Sequence, residues 1–491
     1  PSSPIIEAEN LIFRPTKIAV DANKTMYIVN EGTTSGILMV NQNNRFIDYF
    51  ASNSFDLTLW DRLVRIIYQN NENVKMTKNI PTPIFNIAID PKGYFYTVTQ
   101  NSAENASGDN LKKINIGGIN FFEDDMYVYN DIVDAWPGHE ENVYAVTSNG
   151  FLFEYDNLGN LLFTWGGKGI GNDKLGLFMS ASSLAVDSKN NIYVIDDNSS
   201  RNAIHIFRQT PFAAKVHEAL DLYNNAKYVE SIEVWEEVLR YNSMLDIAYK
   251  GIGLGYMMQE EYEKAQEYFL IARDQEQYSE AYWEIRNLSL IENMDKIIYI
   301  VVLLVVIFNL LVYLNRKTQV FAFAGKVKQS ILKFPKIREF LYMFHFLKNP
   351  ADACYGVKLQ KKSTALSGVL VLSLLFILYI IGLVFTGFIF NDIVIEETIL
   401  IKEAFKIIIP ILIFIFSNYL ISSLMEGEGT LKAVFINTTG ALMPIIVIYP
   451  FLILISNYLS LNEAFIYQFG MFGMIFWSVI LLYFNIKETH N

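Results

Sequence analysis

Leu184-Ala185-Val186-Asp187, a short polar stretch, and then Ile192-Tyr193-Val194-Ile195-Asp196 decide how the first part of this chain is built. Apolar side chains alternate along each half, and the polar stretch between them is short enough to be a tight turn. The segment therefore reads as two paired strands. The same unit occurs twice earlier. Ile18-Ala19-Val20-Asp21 precedes Met26-Tyr27-Ile28-Val29-Asn30, and Ile87-Ala88-Ile89-Asp90 precedes Phe95-Tyr96-Thr97-Val98. Val143-Tyr144-Ala145-Val146 repeats the second half alone. The aligned tyrosines are 27, 96, 144 and 193, so the last two spacings are 48 and 49 residues. That is the length of one four-stranded propeller blade, and the longer first spacing implies an insertion.

Later strands of the blade are legible too. Gly150-Phe151-Leu152-Phe153-Glu154-Tyr155-Asp156 runs through Asn157-Leu158-Gly159 into Leu161-Leu162-Phe163 and Trp165-Gly166. Asp and Gly supply the backbone conformations a hairpin turn needs. These segments, over about residues 13–208, resemble NHL-type propeller repeats. The resemblance implies a β-propeller over 1–208 with a helical insertion near 53–80. In that insertion Leu59, Trp60, Leu63, Ile66 and Ile67 fall on one helical face, which predicts a helix against the propeller's flank, with Trp60 a candidate contact to a membrane surface or partner. Four blades are recognisable, and a closed ring of about six, with an export signal upstream, is the expectation.

At Pro211 the apolar period changes from 2 to 3.6. Tyr249, Ile252, Gly253, Tyr256, Tyr262, Ala265, Phe269 and Ala272 recur at 34 residues with Ala219, Leu222, Tyr228, Ser231, Trp235 and Val238, and Trp283 stands 34 after Tyr249. Residues 212–293 resemble two tetratricopeptide repeats and a third opening helix. That resemblance makes Trp283 the expected anchor of the last helix against Phe269 and Ala272.

The 491 residues are 52% hydrophobic and only 18% charged, and the apolar runs all lie in the last two-fifths. Spans are expected at 297–314, 364–390, 404–425, 432–457 and 463–486, each long enough to cross hydrocarbon about 30 Å thick. Residues 315–363 hold eleven lysines and arginines against Glu339 and Asp352. This marks the segment as cytoplasmic, hence the propeller and helical repeats as extracytoplasmic and the C-terminus as cytoplasmic. Ile337, Phe340, Leu341, Phe344 and Leu347 recur at helical spacing within it, as in a basic amphipathic helix on anionic lipid.

Lys348-Asn349-Pro350, Asn418-Tyr419-Leu420-Ile421-Ser422-Ser423-Leu424, Glu426-Gly427-Glu428-Gly429-Thr430 with Lys432, and Thr438 to Leu442 before Pro444 resemble the Yip (Ypt-interacting protein) membrane-domain family, bacterial type. The resemblance covers Phe344 to the end and implies a five-span protein with a four-span bundle over 364–487. Glu426, Gly427, Glu428 and Gly429 are the candidate interaction motif. Gly440 stands where the family usually has an aromatic residue.

The fold class read from all this is a multidomain membrane protein: an NHL-like propeller, α-helical tetratricopeptide repeats and a five-span helical domain. The net charge of −12 argues against nucleic acid as a partner. No two of the five histidines have metal-ligand spacing, no nucleophile elbow occurs, and the glycine-rich 166–171 does not open a helix. No catalytic residue, metal or cofactor is therefore assigned. Asp21, Asp90 and Asp187 are read as turn residues, with a calcium or sugar site at the propeller mouth as the sharper alternative. The expected role is a non-enzymatic scaffold or accessory subunit. Membrane lipids and other membrane proteins are its partners, among them the subunits of an ATP-binding-cassette carbohydrate importer, and a carbohydrate or a solute-binding protein meets the propeller. The alternatives are a gluconolactonase-like hydrolase or a lipid-handling or signalling protein. Gly368, Gly382 and Gly387 on the second span are read as close-packing contact positions, Gly382 foremost.

Overall fold

The structure is a computed structural model and describes residues 13–53, 81–99, 110–122, 129, 131–138, 141–169, 174–198, 201–318, 332–391, 393, 398–425 and 427–490. The chain divides into two compact units: residues 1–227 with 237–243, and residues 228–236 with 244–491. The division falls inside the helix Tyr228–Tyr241 rather than at Pro211.

The first unit carries four antiparallel sheets, each a simple meander. Blade one is β1 (Pro15–Val20), β2 (Met26–Asn30), β3 (Ile37–Val40) and β4 (Phe46–Phe50). Blade two is β5 (Ile84–Ile89), β6 (Phe95–Thr99) and β7 (Leu111–Ile114). Blade three is β8 (Ile132–Pro137), β9 (Val143–Thr147), β10 (Phe151–Tyr155) and β11 (Leu161–Gly166). Blade four is β12 (Ala181–Val186), β13 (Ile192–Asn198) and β14 (Arg201–Phe207). Blade three thus has the first strand that its sequence seemed to lack. Trp136-Pro137-Gly138 replaces the apolar-Asp ending and hides it.

Successive blades stack face to face. Ala19, Tyr27 and Phe50 of blade one meet Ile87 and Phe95 of blade two. Tyr96 and Val98 of blade two meet Ile132, Val143 and Phe153 of blade three. Val146 and Leu152 of blade three meet Leu184 and Val194 of blade four. Sheets stacked radially through their faces, with the first strands innermost, make a β-propeller. Helix α1 (Pro211–Asn224) follows blade four, with Pro211 in its first turn and the Thr210 hydroxyl accepting from the Ala213 amide at 3.1 Å.

Helix α2 (Tyr228–Tyr241) is shared between the units; in the second, its first turns, α3 (Asp246–Met258) and α4 (Tyr262–Ile271) precede α5, a single helix of 44 residues over Gln275–Thr318. Gly251, Gly253 and Gly255 let Trp235, Phe269 and Ile232 lie directly on the α3 backbone. Among the described residues, five helices are long and apolar enough to span a membrane. They are the later part of α5, then α8 (Ala365–Phe385), α9 (Leu400–Leu424), the pair α10 (Leu431–Ala441) and α11 (Met443–Ser456), and α12 (Ala464–His490). The fourth span is broken at Leu442 because Pro444 has no amide hydrogen to continue the ladder. It is also the most enclosed, with 56% of its apolar window buried against 6% for the third, so it forms the centre of the bundle.

The segment before the second span comprises α6 (Pro335–Tyr342), a short 3₁₀ turn over Met343–Leu347, and α7 (Pro350–Lys358). Only part of it matches a helix lying on lipid. Ile337, Leu341 and Phe344 are exposed, but Met343 and Phe346 are buried with Val371, Ile436 and Ile446 in the bundle core.

Candidate functional site

Three places gather polar side chains. The first is the propeller axis. Every innermost strand has a bulge at the same place, between Pro15 and Lys17, Ile84 and Asn86, Ile132 and Asp134, and Ala181 and Ser183. A bulge re-aims the residue that follows it. Here the four re-aimed side chains meet at one point. Asp134 is fully buried. Its carboxylate accepts from Asn86 Nδ2 at 2.6 Å, Ser183 Oγ at 2.6 Å, the Leu184 amide at 3.0 Å and Lys17 Nζ at 3.4 Å. Lys17, Asn86, Asp134 and Ser183 each stand ten residues before an aligned tyrosine. That register was the signal in the sequence that could have found them.

The second place is the blade face where the first hairpins turn. Asp21, Asp90 and Asp187 each accept an amide four residues on, from Thr25, Tyr94 and Asn191. Each also accepts the hydroxyl of the aligned tyrosine six residues on, at 3.3, 3.2 and 3.2 Å for Tyr27, Tyr96 and Tyr193. The recurring Asp is a turn residue that also holds its tyrosine. Burial, and then the neighbouring Asp21 charge, push the Tyr27 hydroxyl up to about 12. The Asn191 side chain and amide draw the Asp187 carboxyl down to about 2. A cleft of about 460 Å³ opens on this face, lined by Asp90, Lys92, Trp136, Glu141 and Asp187, with Lys92 and Glu141 ion-paired. A tryptophan beside carboxylates and an amine suits a hydroxylated ligand. Elsewhere in this unit, buried His217 on α1 holds Glu154 of β10 through Nε2 at 2.5 Å, and Asn142 donates to the same carboxylate at 2.8 Å. This pair fixes α1 to blade three, and sequence reasoning had given His217 no role.

The third place is the bundle, whose two ends are held differently. At one end α5 grips two interspan turns. Arg286 makes a forked bond to Glu463, at 2.7 and 2.9 Å, and also donates to the Tyr458 carbonyl at 2.8 Å. Ser279 Oγ accepts from the Leu461 amide at 2.7 Å, and Gln275 donates to the Phe388 carbonyl at 2.9 Å. At the other end Lys358 pairs with Glu428 at 3.2 Å, and the Glu428 amide donates to the His490 carbonyl at 3.3 Å. A side chain on Gly429 would come within 2.6 Å of the His490 ring, so the glycine is needed for this closure. Above it lies a buried neutral network. Cys354 Sγ donates to Asn485 Oδ1 at 3.1 Å, Asn485 Nδ2 to the Asn437 carbonyl at 2.6 Å, and Asn437 Nδ2 to Thr489 at 2.6 Å. Gly440 is covered by the ring of Phe346, so an aromatic fills the space beside it from another element.

The expected contact residues fare unequally. Trp60, with its helical insertion, and Glu426 lie outside the described residues. Gly427, Glu428 and Gly429 form the junction just described. Trp283 does not pack on Phe269: Ala281 and Tyr278 fill that space, while Trp283 is 39% exposed with the Arg286 guanidinium 4.9 Å above its ring. Gly382 faces inward, where an added Cβ would lie 2.1 Å from the Tyr449 hydroxyl, and Gly368 and Gly387 are likewise closed off by Phe435 and Ser456. These glycines pack the bundle against itself.

No protein-family model matches the chain, and no curated protein matches it. Among solved structures it is similar to virginiamycin B lyase from Staphylococcus aureus, at 12% identity and a TM-score of 0.24, over 40% of this chain and 57% of that one. It is also similar to the WD40 β-propeller domain of Doa1, at 12% identity and a TM-score of 0.25, over 40% of this chain and 52% of that one. A third is the extracellular domain of a hybrid two-component system from Bacteroides thetaiotaomicron, at 14% identity and a TM-score of 0.23, over 40% of this chain and 21% of that one. The chain spans between a fifth and three-fifths of these proteins. So slight a likeness carries nothing about activity, and the propeller assignment rests on the four stacked sheets and their shared bulges.

Proposed function

We propose that this protein is a non-enzymatic membrane scaffold that presents a propeller and helical-repeat arm outside the cell to a larger membrane assembly. The observation that carries this reading is the grip of α5 on the turns at one end of the bundle, centred on Arg286 and Glu463. A helix that leaves the repeats, clamps those turns and continues as the first span holds whatever the repeats bind at a fixed place on the bundle.

The grouping of loops supports the proposed sidedness. The turns at 387–390 and 457–463 share the end held by α5, whereas the basic segment 348–362 shares the opposite end with Gly427–Gly429 and His490. That is the alternation expected of five spans, and the lysine-rich end is the cytoplasmic one. The hairpins of α3 to α5 are read as tetratricopeptide repeats because Gly253 and Ala265 stand at their closest approaches. The bundle is read as Yip-like on the sequence resemblance, whose Gly427–Gly429 junction closes one end of it against His490 and Lys358.

The donor set at the axis speaks for binding rather than hydrolysis. Its one carboxylate, Asp134, is already occupied by four donors, one of them the Lys17 amine. An amine in that position competes with any cation. The partner class is a transport complex such as a carbohydrate importer, with the Trp136 cleft as the place for a sugar or a solute-binding protein. An amine-reactive cross-linker that cannot enter cells tests both partner and side. Added to intact cells before purification in mild detergent, it should join arm lysines to importer subunits and leave Lys358, Lys361 and Lys362 unmodified. Labelled Lys358–Lys362 with an unlabelled arm would overturn the sidedness, and a lone protein turning over substrate would overturn the scaffold.

A further inference from the structure

The first span is the most apolar of the five, with a mean hydropathy of 3.0, and none of its apolar window is buried. Among the described residues it packs against no other span. Exposed apolar side chains need no explanation in a bilayer, since lipid tails are as apolar as they are. Asn309 does need one. Its amide lies within Ile297–Leu314, five residues before the end of the apolar run and so about 7 Å inside it, where hydrocarbon offers no water to hydrogen-bond it. One N–H is used within the helix, donated to the Val305 carbonyl at 2.8 Å. The second N–H and the carbonyl oxygen face outward from an exposed residue.

The surroundings of Asn309 are ordered. Ile298, Val302, Val305, Asn309 and Val312 follow one another at spacings of four, three, four and three residues, which puts them on one stripe of the helix. The opposite face is Ile300, Leu303, Leu304, Ile307, Leu310, Leu311 and Leu314. The span therefore has a β-branched seam carrying one amide and a leucine-rich back. A seam of this period with a single asparagine at one repeat position is the pattern that fixes register in a parallel pair of helices.

We propose that this seam pairs with the same seam of a second copy of this chain, with Asn309 bonded to Asn309 across a two-fold axis. Self-complementarity selects the occupant. An amide carries both donor and acceptor, so two identical amides satisfy each other. Copies inserted with the same topology are parallel and bring Asn309 to the same depth. A different partner would need a polar group of its own at that depth. The pairing deepens the scaffold reading, because α5 also carries the Arg286 clamp and a paired first span yields two arms per assembly. It rests on residues 297–314 lying in the bilayer.

The test uses the full-length protein in its membranes. Cysteines placed singly at Val302, Val305 and Val312 should form disulfide-linked dimers on mild oxidation, while those at Leu303, Ile307 and Leu310 should not. The native Cys354 is buried and stays silent. Two differently tagged copies should co-purify, and Asn309→Leu should weaken that recovery about five- to thirty-fold. Equal cross-linking around the helix, or co-purification unchanged by Asn309→Leu, would overturn the pairing. Both proteins should remain in carbonate-washed membranes. Extraction of either would overturn the spanning reading itself, and loss of the importer contact with the dimer intact would touch only the scaffold reading.

Discussion

At the propeller axis, a buried carboxylate is surrounded by an amine, an amide, a hydroxyl and a backbone N–H. In the bundle, Cys354, Asn437, Asn485 and Thr489 make a buried network without a formal charge. The two knots do similar structural work with different material, and the solvent explains why. Lys17 is partly exposed at the axis, so an ion pair there keeps one foot in water. The Cys354 network has no such outlet, so neutral groups that satisfy one another inside the protein serve there, whereas the buried Glu403, held by Tyr379, keeps its partner Lys406 exposed. A charge at the centre makes the arm's knot the more costly to break.

The contrast can be tested by cutting each knot once. Asp134→Leu leaves the Asn86 amide and the Leu184 N–H without their acceptor at a site where Asp134 is wholly buried. It should cost about 3–5 kcal/mol, read as a fall of about 10 °C in the arm's melting temperature, with the bundle's unchanged. A drop of a degree or two would mean that the blades close without the hub. Asn485→Leu, close in volume, strips a partner from Cys354 and from the Asn437 carbonyl. Thermal unfolding in detergent should register about 1–3 kcal/mol in the bundle alone, and a loss as large as that of Asp134→Leu would erase the distinction.

The smallest effect is a pH dependence confined to the arm. Tyr27 titrates at about 12 when folded against 10.0 ordinarily, so its neutral form is favoured in the folded blade. That contribution is fully present below pH 10 and is lost as the pH rises through about 12. Tyr96 shifts in the same direction through burial and then the Asp90 charge, and Tyr193 through its bond to Asp187. The arm should therefore lose stability between pH 10 and 12, and Tyr27→Phe should blunt the slope. An unchanged slope would mean that the Asp–Tyr bonds do not contribute to it.

What the sequence disclosed follows the same divide. Strand alternation around four aligned tyrosines, the last three 48 and 49 residues apart, made four blades recognisable, and unbroken apolar runs made five spans plain. The bulges were invisible because they leave the residue pattern intact and change only where a side chain points. Blade three's first strand was masked by Trp136-Pro137-Gly138. Trp283 was misplaced by carrying a 34-residue period one step too far: α5 runs on as the first span, no described hairpin follows to cover that side, and Ala281 takes the inward position. Smallness alone marks Gly382 as a close-packing position but cannot tell which neighbour comes close. The neighbour is Tyr449, from the same bundle.

The bond from Lys17 to Asp134 joins residues 117 apart in the chain. Each blade folds from neighbouring strands and can form as it is made, but the hub has no acceptor until blade three has been synthesised. Before that moment the first two blades hold their Lys17 and Asn86 without a common anchor. Ser183 arrives about fifty residues later still, which at 5–20 residues per second is a delay of several seconds. The order of synthesis thus sets the order of closure. The hub stays open until Asp134 has been made, and latches only when the residue that gathers the others arrives.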